Sequence, residues 1–573
     1  MSDSEHNHGL FRLRHDMRAH WAVYLGIFLA LLVWFFLDPL RRAQVDPENP
    51  SLHMTDFTVY TAAAQALMAD EDPYAVTNIR GWPYIYPPFF AVLVAPLAYL
   101  PDPWPAGIFF WISVLCLLGS YCECRHLLDR VHESGNTSRR RELIFLALAF
   151  ATGLLPTLNC LQRGQVGLLL LYCLLLGVRL ALRHRGRQAW VIAGVILMIP
   201  VAIKLTPALP VAFLAGMLLV QAQQRTHLRP RGLHLVAGLV LGGVLHFLLL
   251  PAAVVGWDRN LELLDTFHQK VSSKVNDVRT DDFGGHVASK RNQSLSNAAY
   301  RGGNWLASRL NLGPDDLLAE TPGNRLPMDH PVAEYVLLGL KGLVLAALAA
   351  VSLRSSLCKD RLALLAAYGL AIVATFLVSP VARGHYYLLW TPGCLFLALW
   401  LWRQHQYTQA WHVAVWPVVL TVLHYALLDY AGRVGLLGLG TTVWFFVASH
   451  WLFYSSQNVS PLETKEARET KEKRETKEKR EKREEPPAHD LEEQVSVDSL
   501  LNALVRDPQA AEAAKRAAEE AREKSHKRRS RRSSLSPLAS PDLDGTPLVS
   551  PPAEHPEKTE NSAAQPSDNS DQG

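Results

Sequence analysis

Long apolar segments recur along the chain from Trp21 to about Tyr454 and then stop. Runs of about 16 to 22 apolar residues are long enough to cross a bilayer as helices. They predict spans near 21–37, 104–122, 143–158, 166–182, 189–203 and 207–221. The series continues near 235–256, 332–351, 362–380, 385–402, 411–428 and 434–454, which makes about twelve. One further segment, Phe89 to Leu100, is apolar but short and interrupted by Pro96, so it reads as a re-entrant or interfacial piece or as a thirteenth span. The fold class is an all-α polytopic membrane protein. Its parts are an N-terminal segment (1–20), a membrane domain (21–454) and a charged, largely disordered tail (455–573).

Composition sharpens this division. The 573 residues are 49% hydrophobic with 15 Trp, and a mean hydropathy of +0.06 averages an apolar part with a polar one. A net charge of +4 is too small at this length to argue for nucleic acid as a partner. The seven cysteines are scattered and show neither metal spacing nor a disulfide framework, so buried free thiols are expected. The first apolar run has no small-residue cleavage site after it and reads as a retained anchor.

Loop charge gives a sidedness. If Phe89–Leu100 does not cross, one set of loops holds Arg125, Arg130, Arg139–Arg141, Arg183, Arg185, Arg187, Arg225, Arg229, Arg231, Arg354, Lys359 and Arg361. The opposite loops hold isolated cations such as Arg163, Lys204, Arg383 and Arg433. The positive-inside rule then places both termini in the cytoplasm, with the plasma membrane as the expected location. Arg41 and Arg42 run against this pattern.

With that sidedness the loops of unusual chemistry share the outer face: 56–88, 162–165, 204–207, 257–331 and 379–386. Asp56 stands out among them. An acid is kept away from lipid unless it has a task, and this one opens a loop stiffened by Trp82-Pro83-Tyr84-Ile85-Tyr86-Pro87-Pro88. It suits a general base acting on a lipid-carried substrate. The plain alternative is an N-cap for a helix beginning at Phe57.

At these positions the chain resembles glycosyltransferase family 87, membrane enzymes of the GT-C class. The motifs are Asp56-Phe-x-Val-Tyr60 with Asp72-Pro73-Tyr74, Tyr86-Pro87-Pro88 leading to Ala95-Pro96-Leu97, Gly164-Gln165, Lys204-Leu-Thr-Pro207, Asn292-Gln293-Ser294-Leu295 with Arg301, and Ser379-Pro380 with His385-Tyr386. They extend over most of residues 50–400. Each is weak alone, and their order and common face give them specificity. The chain departs from the family pattern before Asp72 and between Pro380 and His385, where it reads Val381-Ala382-Arg383-Gly384.

The resemblance implies a GT-C-like bundle and transfer of a hexose, mannose in the best-characterised members. The donor would be a polyprenyl-phosphate sugar and the acceptor a lipid or glycan, with inversion. No cofactor or metal is implied. Asp56 matches the base, which has only to accept the acceptor's proton as an oxocarbenium-like transition state collapses. His385, Lys204, Arg163 and Arg301 are the candidates to bind the donor phosphate, although Lys204 can also snorkel to the interface. Tyr60, Tyr84, Tyr86, Gln165 and Asn292 are the substrate-binding candidates, while interfacial aromatics also serve as plain anchors.

Asp70-x-Asp72 has metal-like spacing and an equally good reading as a turn. Asn292-Gln293-Ser294 has the pattern of a glycosylation acceptor, or of a loop-ordering element. The tail repeats Glu-Thr-Lys-Glu-x-Arg over 463–485, is helix-prone over 509–524 and carries a basic cluster at 527–532. The main rival to a transferase is a transporter or flippase. That class favours internal repeats and midplane charges, and neither is apparent in the sequence.

Overall fold

The computed structural model describes residues 21–44, 53–79, 81–132, 139–183, 186–224, 229–269, 292–299, 301, 331–358 and 360–456. The expectations for the N-terminal segment 1–20 and for the tail beyond Ser456 lie outside these residues.

Helix α1 (Trp21–Arg42) is followed by a short pair, α2 (Phe57–Met68) and α3 (Pro88–Ala98). Then come α4 (Trp104–His132), α5 (Arg139–Thr152), α6 (Leu154–Arg163), α7 (Gly167–Arg183), α8 (Arg187–Ile203) and α9 (Ala208–Gln224). Helix α10 (Arg229–Gly243) passes through a π-helical turn, Val244–Leu249, into α11 (Leu250–Val255), and α12 (Trp257–Phe267) follows. The last set is α13 (Pro331–Leu357), α14 (Arg361–Val378), α15 (Thr391–Arg403), α16 (Tyr407–Ala426), α17 (Leu428–Arg433) and α18 (Leu436–Ser455). Among the described residues there is no strand, only the isolated bridges Thr77–Pro83 and Asn292–Arg383.

Among the described residues, six stretches are long and apolar enough to cross a membrane: Trp104–Asp129, Arg139–Arg163, Gly232–Val255, Tyr335–Leu357, Arg361–Val378 and Leu436–Ser455. Each coincides with an expected span. Helices α7, α8 and α9 fall where spans are expected, but at 17 residues they rise only about 25 Å. Helix α3 has 11 residues, about 16 Å of rise, half the thickness of a hydrocarbon core. The expected span 385–402 is not one helix. Its first part winds as a 3-10 turn, Gly384–Trp390, and the α-helix starts only at Thr391, with Pro392 in its first turn. Proline is tolerated there because its missing N–H would be unpaired anyway.

Helix α14 is the core. It is apolar on every side and buried along its length from Leu362 to Leu377, as expected of a helix ringed by others. The Asp360 carboxylate caps it by accepting the Leu362 N–H at 2.7 Å. Its far end delivers Thr375, Val378 and Ser379 to the site below. Helices α8 and α10 approach closely at small residues. A Cβ on Gly238 would lie 2.2 Å from the Val191 carbonyl, and one on Gly194 would lie 2.5 Å from the Leu239 nitrogen. The Asn260 side chain of α12 donates to the carbonyls of Phe247 and Leu248 at 3.0 and 3.3 Å, satisfying acceptors within the π turn. This anchors α12, which presents Phe267 to the cavity.

Candidate active site

Helix α6 ends at Arg163, and Gly164 continues the chain in the left-handed region at φ 62°. A Cβ at Gly164 would meet the Phe57 Cβ at 2.7 Å. Only glycine therefore lets this turn lie against the start of α2. The two segments are stitched together there. The Asp56 N–H donates to the Arg163 carbonyl at 2.9 Å, and the Thr55 hydroxyl donates to the same oxygen at 3.1 Å.

This docking aims the Asp56 side chain. Its carboxylate forms no cap hydrogen bond to α2, so the N-cap alternative does not describe it. The Thr55 hydroxyl accepts the Phe57 N–H instead, at 3.1 Å. Asp56 accepts from the Gln165 amide and from Arg163 Nη2 at 3.3 Å, while Arg163 Nε stands 3.3 Å from the other carboxylate oxygen. The Arg163 guanidinium also lies over the Trp82 ring, 5.1 Å from its centroid.

Asp56 faces a cavity of about 370 Å³, lined also by Tyr60, Tyr86, Gln165, Lys204, Arg383 and His385. Lys204 leaves the end of α8 in extended backbone. Its ammonium donates to the Tyr386 hydroxyl and lies 4.0 Å from the Tyr386 ring centroid and 5.6 Å from that of Tyr86. The hydroxyls of Tyr60 and Tyr86 share a hydrogen bond of 3.0 Å. Burial pushes both phenols well above their ordinary value, so they act as neutral hydrogen-bonding groups.

His385 lies in the 3-10 turn ahead of α15 and is 2% exposed. Its Nε2 is buried without a hydrogen-bond partner among the described residues. Burial, and then the charges of Arg163, Lys204 and Arg383, hold the imidazole well below its ordinary pKa, so it is neutral at pH 7.

The structure regroups the sequence candidates. Asp56, Tyr60, Tyr86, Gln165, Lys204 and His385 meet at one cavity. Arg163 does not line it, standing behind Asp56 instead. Arg301 is also away from the cavity. It is buried and donates to the Asn292 carbonyl at 2.5 Å, and burial pulls its pKa down to about 10.

Tyr84 is 1% exposed and spends its hydroxyl on the Pro87 carbonyl at 3.0 Å, so it packs the loop and does not line the cavity. Asn292 orders a loop. Its amide donates to the Pro380 carbonyl at 3.1 Å, and its side-chain oxygen accepts the N–H groups of Ala382 and Ser294 at 3.0 and 3.1 Å. At 2% exposure that amide is closed to glycosylation in the folded chain.

Arg383 is the group the sequence reading left out of the site. It sits in the segment where the chain departs from the family pattern, and Asn292 holds that segment in place. The Asp70-x-Asp72 spacing is accounted for locally. Asp72 accepts the Tyr74 N–H at 2.9 Å in an Asx-turn, and Asp70 lies 3.3 Å from Arg259 of α12.

A sequence model described as Glycosyltransferase family 87 matches residues 84–380. No curated protein matches the chain. Among solved structures, the crystal structure of ArnT from Cupriavidus metallidurans bound to undecaprenyl phosphate aligns with a TM-score of 0.34 and 15% identity. The alignment covers 76% of this chain and 78% of that one. At that score it carries no argument about the site.

Proposed function

The chain belongs to glycosyltransferase family 87, and from that premise we propose that it moves a hexose, mannose in the first instance, from a polyprenyl-phosphate sugar onto a hydroxyl of a lipid or glycan acceptor, with inversion. It is a multi-pass membrane protein. Family membership sets the transporter alternative aside. The observation that carries the proposal is the convergence of Asp56, Lys204 and Arg383 on one cavity from three segments distant in sequence.

The acceptor hydroxyl attacks the anomeric carbon as the bond from that carbon to the phosphate oxygen breaks. Asp56 takes the hydroxyl proton, and the polyprenyl phosphate leaves with the bonding electrons. Attack opposite the leaving group inverts the anomeric centre. Arg163 and Gln165 fix the carboxylate for this step, and ordinary carboxylate basicity suffices when bond breaking leads proton removal.

Charge favours the leaving group over the bound donor. Arg163 balances Asp56, which leaves Lys204 and Arg383 as the two cations lining the cavity. The donor is a phosphodiester with one negative charge, whereas the departing monoester carries nearly two at neutral pH. Two fixed cations therefore bind the charge that develops better than the charge that arrives, which is the condition for catalysis.

The reaction is placed on the outer face, with both termini cytoplasmic, in the plasma membrane. Reporter fusions test this: those at 135, 228, 357 and 470 are expected to read cytoplasm and those at 60 and 280 outside. The activity itself is tested by transfer of radiolabelled mannose from polyprenyl-phosphate mannose into membrane glycolipid. If the label is used only from a nucleotide sugar, the donor assignment is wrong.

A further inference from the structure

Tyr386 follows His385 in the 3-10 turn ahead of α15 and lines the reaction cavity, half-buried. Its N–H donates to the Arg383 carbonyl at 2.9 Å, and this one turn of backbone brings the Tyr386 and Arg383 side chains to the same cavity. Its ring packs edge-to-face on that of His385, with the centroids 4.5 Å apart. The Lys204 ammonium, at the end of α8, donates to its hydroxyl.

The phenol proton has one place to go. The Tyr386 oxygen accepts from Lys204, and an ammonium has no lone pair with which to accept in return. The proton therefore points away from Lys204. No described residue accepts it. Tyr60 and Tyr86, two further phenols on the cavity wall, hydrogen-bond each other instead. The Tyr386 proton is thus offered to whatever occupies the cavity.

Lys204 also lacks a counter-charge. It forms no ion pair with a described residue, and Asp56 is held by Arg163 and Gln165 instead. An unbalanced ammonium and a phenol proton without an acceptor therefore stand side by side in the cavity. A neutral sugar hydroxyl would satisfy the phenol and leave the Lys204 charge unanswered. A phosphate oxygen answers both. The hydrogen bond that Tyr386 receives from Lys204 polarises the phenol, which strengthens the bond it donates. That donated bond gains most when negative charge builds on its acceptor.

We infer that Tyr386 is a further catalytic residue: its hydroxyl, polarised by Lys204, donates to a phosphate oxygen of the donor, and the bond tightens as the phosphate leaves. This rests on the proposed transferase reading and adds to it a neutral donor beside the two cations. The phenol keeps its proton throughout. The proton balance of the transfer step is therefore unchanged, with the acceptor's proton still passing to Asp56.

The test has a binding arm that needs no turnover. Purified full-length Asp56→Asn protein in lipid nanodiscs is titrated with tritiated polyprenyl phosphate and, separately, with tritiated polyprenyl-phosphate mannose, read by scintillation proximity. Adding Tyr386→Phe removes the hydroxyl and keeps the ring. It is expected to weaken polyprenyl phosphate about tenfold and the mannosylated donor about threefold at most. In a Lys204→Gln background the same substitution should cost polyprenyl phosphate only about threefold, because the polarising partner is gone. Tyr387→Phe removes a neighbouring hydroxyl that donates to the Gln293 carbonyl at 2.8 Å. It should lower thermal stability without changing the ratio of the two affinities. In the active protein, Tyr386→Phe is expected to lower kcat about 100-fold with donor KM nearly constant. Unchanged affinities in Tyr386→Phe, a loss equal for the two ligands or confined to the mannosylated one, or a ratio that Tyr387→Phe shifts as far, overturns the assignment. A protein that binds polyprenyl phosphate through the Tyr386 hydroxyl yet transfers nothing from the donor would refute the transferase reading and leave this contact standing.

Discussion

Arg163 reaches Asp56 across 107 residues of sequence, with Nη2 3.3 Å from one carboxylate oxygen and Nε 3.3 Å from the other. One hydrogen bond, from Nη2, and the nearby guanidinium charge hold the carboxylate on this side. Neither side chain is fully exposed, at 16% and 14%. The pair is therefore only partly screened by water. Its role is to aim Asp56 across the cavity.

If the two act as a unit, their substitutions will not add. Asp56→Asn is expected to lower turnover roughly 10²- to 10⁴-fold with donor binding retained. Arg163→Lys keeps the charge, loses the Nη2 hydrogen bond and should cost about tenfold in kcat with little change in donor KM. The double variant should be no slower than Asp56→Asn alone. Additive losses in steady-state transfer would instead mean that Arg163 acts on the donor separately.

Two glycines with the same backbone hand separate strain from packing. Gly164 and Gly81 lie at φ 62° and 70°, so alanine at either costs about 1–2 kcal/mol from the left-handed backbone. Gly81 has open space around it, whereas a Cβ at Gly164 meets the Phe57 Cβ at 2.7 Å, and a Cβ cannot rotate away. Gly81→Ala should lower thermal stability modestly and leave transfer nearly intact. Gly164→Ala should be less stable and should lose activity as well, because the clash displaces the segment that carries Asp56. Equal activity in the two variants would show that the Gly164 turn does not set the position of the base.

Much of the site was legible in the sequence, because acids, cations and Gly-Gln pairs at span ends stand out against apolar neighbours. Asp56, Gln165, Lys204 and His385 all came to the cavity this way. Direction was not legible. Arg163 points back toward Asp56, Arg301 donates to the Asn292 carbonyl, and Tyr84 turns its hydroxyl to Pro87. Each of these depends on a contact outside the local pattern or on which way a ring faces. Arg383 was passed over because its segment departs from the family pattern, and only the Asn292 bridge shows where that segment lies. In the fold, hydropathy found the spans but could not see that residues 384–390 wind as a 3-10 turn. An apolar run has the same composition in either helix.

Stability should fall with acid through His385. The imidazole is neutral in the fold, because burial and three nearby cations disfavour its charged form. Once unfolded, it binds a proton below about pH 6.5. Below that pH the unfolded state holds more protons than the folded one, so stability declines by up to about 1.4 kcal/mol per pH unit for this group. The decline continues until the depressed pKa of the folded state is reached. Thermal unfolding of purified protein between pH 7.5 and 5 is therefore expected to be steeper in pH for the parent than for His385→Gln. Identical slopes would mean that His385 carries its charge in the fold.

The charge asymmetry between donor and leaving group makes the sharpest demand on Lys204 and Arg383. Both cations line the cavity, and a charge-assisted hydrogen bond to phosphate contributes about 1.5–3 kcal/mol. Replacing either by Gln should therefore weaken inhibition by free polyprenyl phosphate roughly 10- to 100-fold. The donor diester carries half the charge, so its apparent affinity should fall less than that of the product. Because the missing interaction is strongest in the transition state, kcat should fall with the product affinity rather than with the donor affinity. Polyprenyl phosphate as a competitive inhibitor of labelled mannose transfer gives both constants in one assay. If Lys204→Gln and Arg383→Gln weaken donor and product equally, the two cations only dock the lipid. If neither variant changes either constant, the phosphate lies elsewhere in the cavity, and the charge balance between Asp56 and its neighbours has to be assigned anew.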